Sequence, residues 1–145
     1  MASPTATGAS IPPAILLRRP EQAVARLLVA YISMGLLFLL LPGTFLGVWN
    51  LIAITEQNSS SFITPQWIQA HGHAQIFGWI GSFILGIGFY SLPRMRGVHR
   101  SSTSMGWATW FLWTSGVWLR WVANVYGWHW RSSSPVSAVF EAAAF

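Results

Sequence analysis

The chain has 145 residues, of which 53% are hydrophobic and 8% charged, where soluble globular domains carry about 25% charged residues. That composition points to a membrane protein and away from a soluble globule. The net charge of +5 comes entirely from arginine, set against Glu21, Glu56 and Glu141; the arginines flank apolar runs instead of forming one patch, which argues against nucleic acid and for topology signals. With no cysteine, disulfides, thiolate metal sites and cysteine nucleophiles are excluded, and any metal must be held by histidine, methionine or oxygen.

Residues 1–20 are rich in Ala, Ser, Thr and Pro and lack a basic segment ahead of an apolar run. They do not read as a secretory signal and are expected to form a flexible cytoplasmic tail. Residues 21–145 then form the transmembrane domain. The pattern predicts an all-α, polytopic transmembrane helix bundle with three full spans and a partial fourth. The first span covers about 24–54, with a kink at Pro42-Gly43, since proline removes a backbone hydrogen bond. Its small pairs, Ala30 with Ser33 and Gly43 with Gly47, admit a neighbouring helix; Gly35 lies off the Ala30–Ser33 face. The polar loop that follows has no arginine and contains Asn58-Ser59-Ser60, a common glycosylation-like pattern.

The second span covers about 67–92, WIQAHGHAQIFGWIGSFILGIGFYSL, and is uncharged from Ile76 to Leu92. Arg94, Arg96 and Arg100 follow it. The third span, about 105–126, holds Trp107, Trp110, Trp113, Trp118 and Trp121, and Trp128 and Trp130 come after it. A last apolar run, 135–145, is too short to cross a bilayer, which needs about 20 residues. It either lies at the interface or begins a longer segment, and the second is the expectation. Arginines precede the first span and follow the second, so the positive-inside rule puts the N-terminus in the cytoplasm and His71 near the outer face of a bacterial-type inner membrane.

An ionisable residue in an apolar span is a functional candidate by default. Successive helical residues turn by about 100°, so His71 and His73 point in nearly opposite directions. The His71 side continues as Ala74, Gln75, Gly78, Gly81, Ser82, Leu85 and Gly86. The His73 side continues as Phe77, Ile80, Phe83, Ile84 and Ile87. In lipid the small, polar stripe packs inward, so His71 is the inward histidine and His73 is expected at the lipid–water boundary or on a second partner. An inward imidazole beside glycines suits a flat macrocycle: the histidine ligates iron and the missing side chains leave room for the ring. The competing reading is a histidine hydrogen-bonded to a neighbouring helix. Arg120 shares a face with Trp113, Gly116, Ala123, Asn124 and Gly127. It needs an anion, for which a haem propionate would serve, or it snorkels to lipid phosphates. His129 reads as interfacial.

The run His71-Gly72-His73-Ala74-Gln75-Ile76-Phe77-Gly78-Trp79, followed by Phe89-Tyr90 and Leu92-Pro93, resembles the second transmembrane helix of the haem–copper oxidase catalytic subunit. The set AHGHAQIFGWIG, LLPGTFLGVWNL and LRWVANVYGWHWR is similar to the NnrS family of haem- and copper-containing membrane proteins associated with the response to nitric oxide. The resemblance covers about 27–140 and corresponds to the N-terminal helices of those larger proteins. It implies a haem with His71 as axial ligand, Arg120 as propionate partner, and Gln75, Gly78 and Asn124 around the cofactor. It implies copper or a second haem contact at His73. In the oxidases the second axial ligand and the copper histidines lie on later helices, so a complete catalytic centre is not expected here. Expected partners are the bilayer and a further subunit or second copy. A cofactor-free interaction module remains open. A channel or carrier would need a polar path that the first two spans lack below Gln75.

Overall fold

The computed structural model describes residues 13–57, 65–97, 103–126 and 133–144. Every element is helical: α1 Pro13–Phe38, a π-helical turn Leu39–Thr44, α2 Phe45–Gln57, α3 Pro65–His73, a π-helical segment Ala74–Gly81, α4 Ser82–Met95, α5 Thr103–Val125 and α6 Ser133–Ala143. The all-helical expectation holds among the described residues. Helix α1 begins at Pro13, inside the stretch expected as a tail. Asn58 to Ser60, Arg100, Trp128, His129 and Trp130 lie outside the described residues.

The kink expected at Pro42 is a widened turn. Pro42 offers no N–H, and its ring crowds the carbonyl of the preceding turn. Thr44 Oγ1 donates to the Leu39 carbonyl at 2.7 Å across this wide turn. The helix therefore continues into α2 instead of stopping. The second wide segment packs against the first. Two continuous stretches, Glu21–Glu56 and Pro65–Met95, are long and apolar enough to cross a membrane, with mean hydropathies of 2.3 and 1.5 over an 18-residue window of each. Helix α5 is 23 residues long, but its tryptophans, threonines and Arg120 make it less apolar than these two.

Aromatic rings fill glycine notches at the centre of the bundle. The buried row of α1 is Leu27, Tyr31, Gly35 and Phe38, continued by Pro42. Phe38 seats on Gly78, where an added Cβ would lie 2.6 Å from its Cγ; Tyr31 seats on Gly86 and Trp113 on Gly81. In return Phe83 covers Gly35, and Leu27 covers Gly106. Phe38, Trp113, Val117 and Ala144 form one buried cluster, and Phe38 lies 5.1 Å from Trp118, centroid to centroid. Ser33 is exposed, so the Ala30–Ser33 pair is not the packing face of α1. The off-face residue Gly35 is.

Helix α6 packs along α5. Ser137 is fully buried, and Glu141 Cγ closes over Gly116. At the far end of α4, Gly97 takes φ 64°, and the Arg94 side chain lies 3.6 Å over the Tyr90 ring while donating to the Tyr90 carbonyl. Left-handed backbone there is cheap only for glycine.

Candidate functional site

The two histidines diverge as their spacing requires. His71 reaches the bend between α1 and α2. Its Nδ1 lies 2.7 Å from the Gly43 carbonyl. A carbonyl only accepts, so Nδ1 carries the proton and Nε2 is the basic nitrogen. The ring lies against Gly47, where an added Cβ would stand 2.9 Å from Cε1. One turn further along, the Gln75 amide closes over Gly43. The glycine pair of the first span thus admits His71 and Gln75 to bare backbone. Thr44, Gly47, Val48, Asn50, Leu51, Ile54, His71 and Gln75 line an open groove of about 490 Å³.

His73 turns to the other side. Its Nε2 lies 3.0 Å from Glu141 Oε1 on α6, and its ring stacks on Phe77 at 4.7 Å. Of the two surroundings expected for His73, the lipid–water boundary and a second partner, the structure shows a second partner: α6 covers it and supplies a carboxylate. A second cavity, about 310 Å³, is lined by Gln69, Gly72, His73, Ile76, Phe77, Arg120 and Asn124. Asn124 is 5% exposed, and its Nδ2 has no hydrogen-bond partner.

This geometry divides the expected site residues into two groups. His71 and Gln75 share the groove beside α2. Arg120 and Asn124 stand with His73 instead, so Arg120 is not placed to serve a group bound at His71. Gly78 faces the inner stripe as expected, but Phe38 occupies the space over it. A macrocycle therefore does not fit along the stripe, where Phe38, Trp113 and Tyr31 already fill Gly78, Gly81 and Gly86. The open groove is different: its volume lies within the range of about 300–1,000 Å³ usual for cofactor pockets, and its walls include Val48, Leu51 and Ile54 with His71 among them. For a copper ion shared by His71 and His73 the arrangement does not fit, because the two rings contact different elements. Among the described residues no group of three or more His, Cys, Asp or Glu could hold a metal ion.

Sequence reasoning read Gly43 as a packing residue but not as the partner of His71, and it missed Asn50, Gln69 and Glu141. Gly43 was within reach, since a glycine after Pro42 and four before Gly47 marks exposed backbone. Glu141 was not, because pairing it with His73 depends on how α6 returns along α5. Comparison of the chain with protein-family models, curated proteins and solved structures gives no match.

Proposed function

We propose that the chain is a membrane-embedded helical module that supplies an axial histidine, His71, to a haem seated in the groove between α2 and α3. The observation that carries this is the 2.7 Å bond from His71 Nδ1 to the Gly43 carbonyl. Such a bond fixes the ring and its tautomer, leaves Nε2 basic, and is the usual support behind a metal-ligating histidine. Gly43 orients the imidazole, Gly47 leaves room for it, and Gln75 and Asn50 provide polar contacts at the groove wall. When bound, haem would supply one-electron transfer or the capture of a small ligand such as nitric oxide. The second axial ligand would come from a partner subunit or second copy laid over the open side.

Membrane embedding is supported by the surface. Leu40, Leu41, Phe45, Leu51, Ile84 and Phe111 are each about 60% exposed, and large exposed apolar areas belong in contact with lipid or a partner. Helix α5, at about 1.5 Å per residue, is long enough to serve as the third span beside the two more apolar ones. Helix α6 makes the partial fourth, and the arginine pattern puts the N-terminus inside.

A cofactor-free packing module is the second reading, favoured by the aromatic rings that fill the glycine notches. Pyridine haemochrome quantitation and a reduced-minus-oxidised spectrum of the detergent-purified chain separate the two. The haem reading expects stoichiometric haem in the parent chain and in His73→Ala, and its loss in His71→Ala. Full haem in His71→Ala, or none in the folded parent, defeats it.

A further inference from the structure

We propose that Glu141 on α6 is a positioning residue for His71: by holding His73 it sets the roll of α3, and with it the aim of His71 Nε2 into the groove. This deepens the reading of His71 as an axial ligand and rests on it, but the coupling of Glu141 to His71 does not itself require haem.

Helix α3 has little of its own to fix its roll. It is nine residues long, and Ala70 is its one buried residue. The π-helical segment Ala74–Gly81 follows it, and such widened turns are where helices bend. His71 and His73 are two positions apart and so point about 200° apart. On one side His71 Nδ1 donates to the Gly43 carbonyl at 2.7 Å; on the other His73 Nε2 donates to Glu141 Oε1 at 3.0 Å. With either bond alone, α3 can swing about the remaining contact. With both, its roll is fixed.

The His73 side is the anchor. Glu141 lies where α6 meets α5 at close range: a Cβ added at Gly116 would stand 3.2 Å from the Glu141 backbone nitrogen and 3.2 Å from the Ser137 carbonyl oxygen, and Ser137 is fully buried. The His73 ring also stacks on Phe77, which lies 6.2 Å from Trp113 on α5. The His71 side is the open groove. The anchored histidine therefore aligns the one left for a ligand. A small roll is enough to matter. Side chains lie about 5–6 Å from a helix axis, so a roll of about 10° moves the His71 ring by about 1 Å. That takes the 2.7 Å bond to Gly43 to the edge of hydrogen-bonding distance.

The test reads His71 in the haem-free full chain, purified in detergent with isotopically labelled histidine. Nuclear magnetic resonance gives the exchange rate of the His71 Nδ1 proton. Glu141→Ala and His73→Ala should each speed that exchange about fivefold, the worth of one net hydrogen bond. The double variant should speed it no more than either alone, and Glu141→Gln, which keeps an acceptor for His73, should stay near the parent. Phe89→Ala is the control: it removes a ring stacked on Tyr31, on α4 beyond the π-helical segment. It should lower the melting temperature and leave the His71 proton unmoved. Haem bound at Nε2 would itself hold the ring, so His73→Ala still keeps stoichiometric haem. A parent chain without haem defeats the axial-ligand reading and leaves the coupling to be judged by the proton. Unchanged exchange in both alanine variants, effects that add in the double variant, or the same acceleration in Phe89→Ala overturns the coupling.

Discussion

Replacing Gly78 with alanine tests whether the glycine stripe is filled or open. The added methyl would lie 2.7 Å from Phe38 Cβ and 2.6 Å from its Cγ. Carbon atoms rest comfortably about 3.5–4.0 Å apart, so the two must separate by about 1 Å. Phe38 cannot give by changing rotamer, because the contact begins at its Cβ. Nor can it retreat freely, since it is fully buried and backed by Trp118 at 5.1 Å. Helix α1 must move, and overpacking of this kind costs about 1–3 kcal/mol. Phe38→Ala alone leaves a cavity. Soluble cores lose about 3–5 kcal/mol on such a change, and lipid keeps the packing share of that loss but not the transfer share. In the double variant the contact with Cγ is gone while that with the retained Cβ remains, so the cost should be below the sum by only about 0.5 kcal/mol, the low end for residues in contact. Thermal unfolding in detergent, followed by near-ultraviolet circular dichroism, gives all the terms. A neutral Gly78→Ala with strictly additive effects would refute the packing argument and reopen the stripe to a flat ring.

Gly47→Ala should push the His71 ring off α2, because the new Cβ would stand 2.9 Å from Cε1 and 3.3 Å from Nδ1. The expected cost is about 1 kcal/mol, one net hydrogen bond, with a parallel fall in haem content read from the Soret band. Glu141→Ala removes the partner of His73 and the cover of Gly116; it should cost about 1.5–3 kcal/mol in chemical denaturation. Glu141→Gln keeps the packing and an acceptor for His73 and should cost much less; equal losses would mean that the negative charge alone carries the effect. Thr44→Val removes the 2.7 Å bond to Leu39 across the wide turn. It should lower stability by about 0.5–1.5 kcal/mol, and hydrogen exchange should quicken at Leu39 to Thr44 first.

Much of the helical frame was legible because hydrophobic runs bounded by arginine, proline and polar loops are strong signals. The inward stripe of the second span was also legible: Ala74, Gly78, Ser82 and Gly86 are buried while Ile80, Ile84 and Ile87 are exposed. So was the separation of His71 from His73. The faces of single helices do not say which of two neighbours a residue meets. Arg120 and Asn124 line the cavity beside His73 and not the groove beside His71, although Asn124 and its face-mates Trp113, Gly116 and Ala123 are buried as expected. A glycine read as room for a cofactor is equally room for a neighbour's ring, and Phe38 at Gly78 shows the second outcome. The pairing of His73 with Glu141 joins residues 68 positions apart, which no local pattern encodes.

Haem occupancy in variants of the two cavities tests the central claim most directly. Leu51→Trp narrows the groove that holds His71, while Arg120→Ala changes the lining of the cavity beside His73. Both would be purified in detergent beside the parent chain and assayed by pyridine haemochrome. The account predicts haem in the parent, its loss in Leu51→Trp and its retention in Arg120→Ala. A parent without haem, or haem kept by Leu51→Trp and lost from Arg120→Ala, would contradict it.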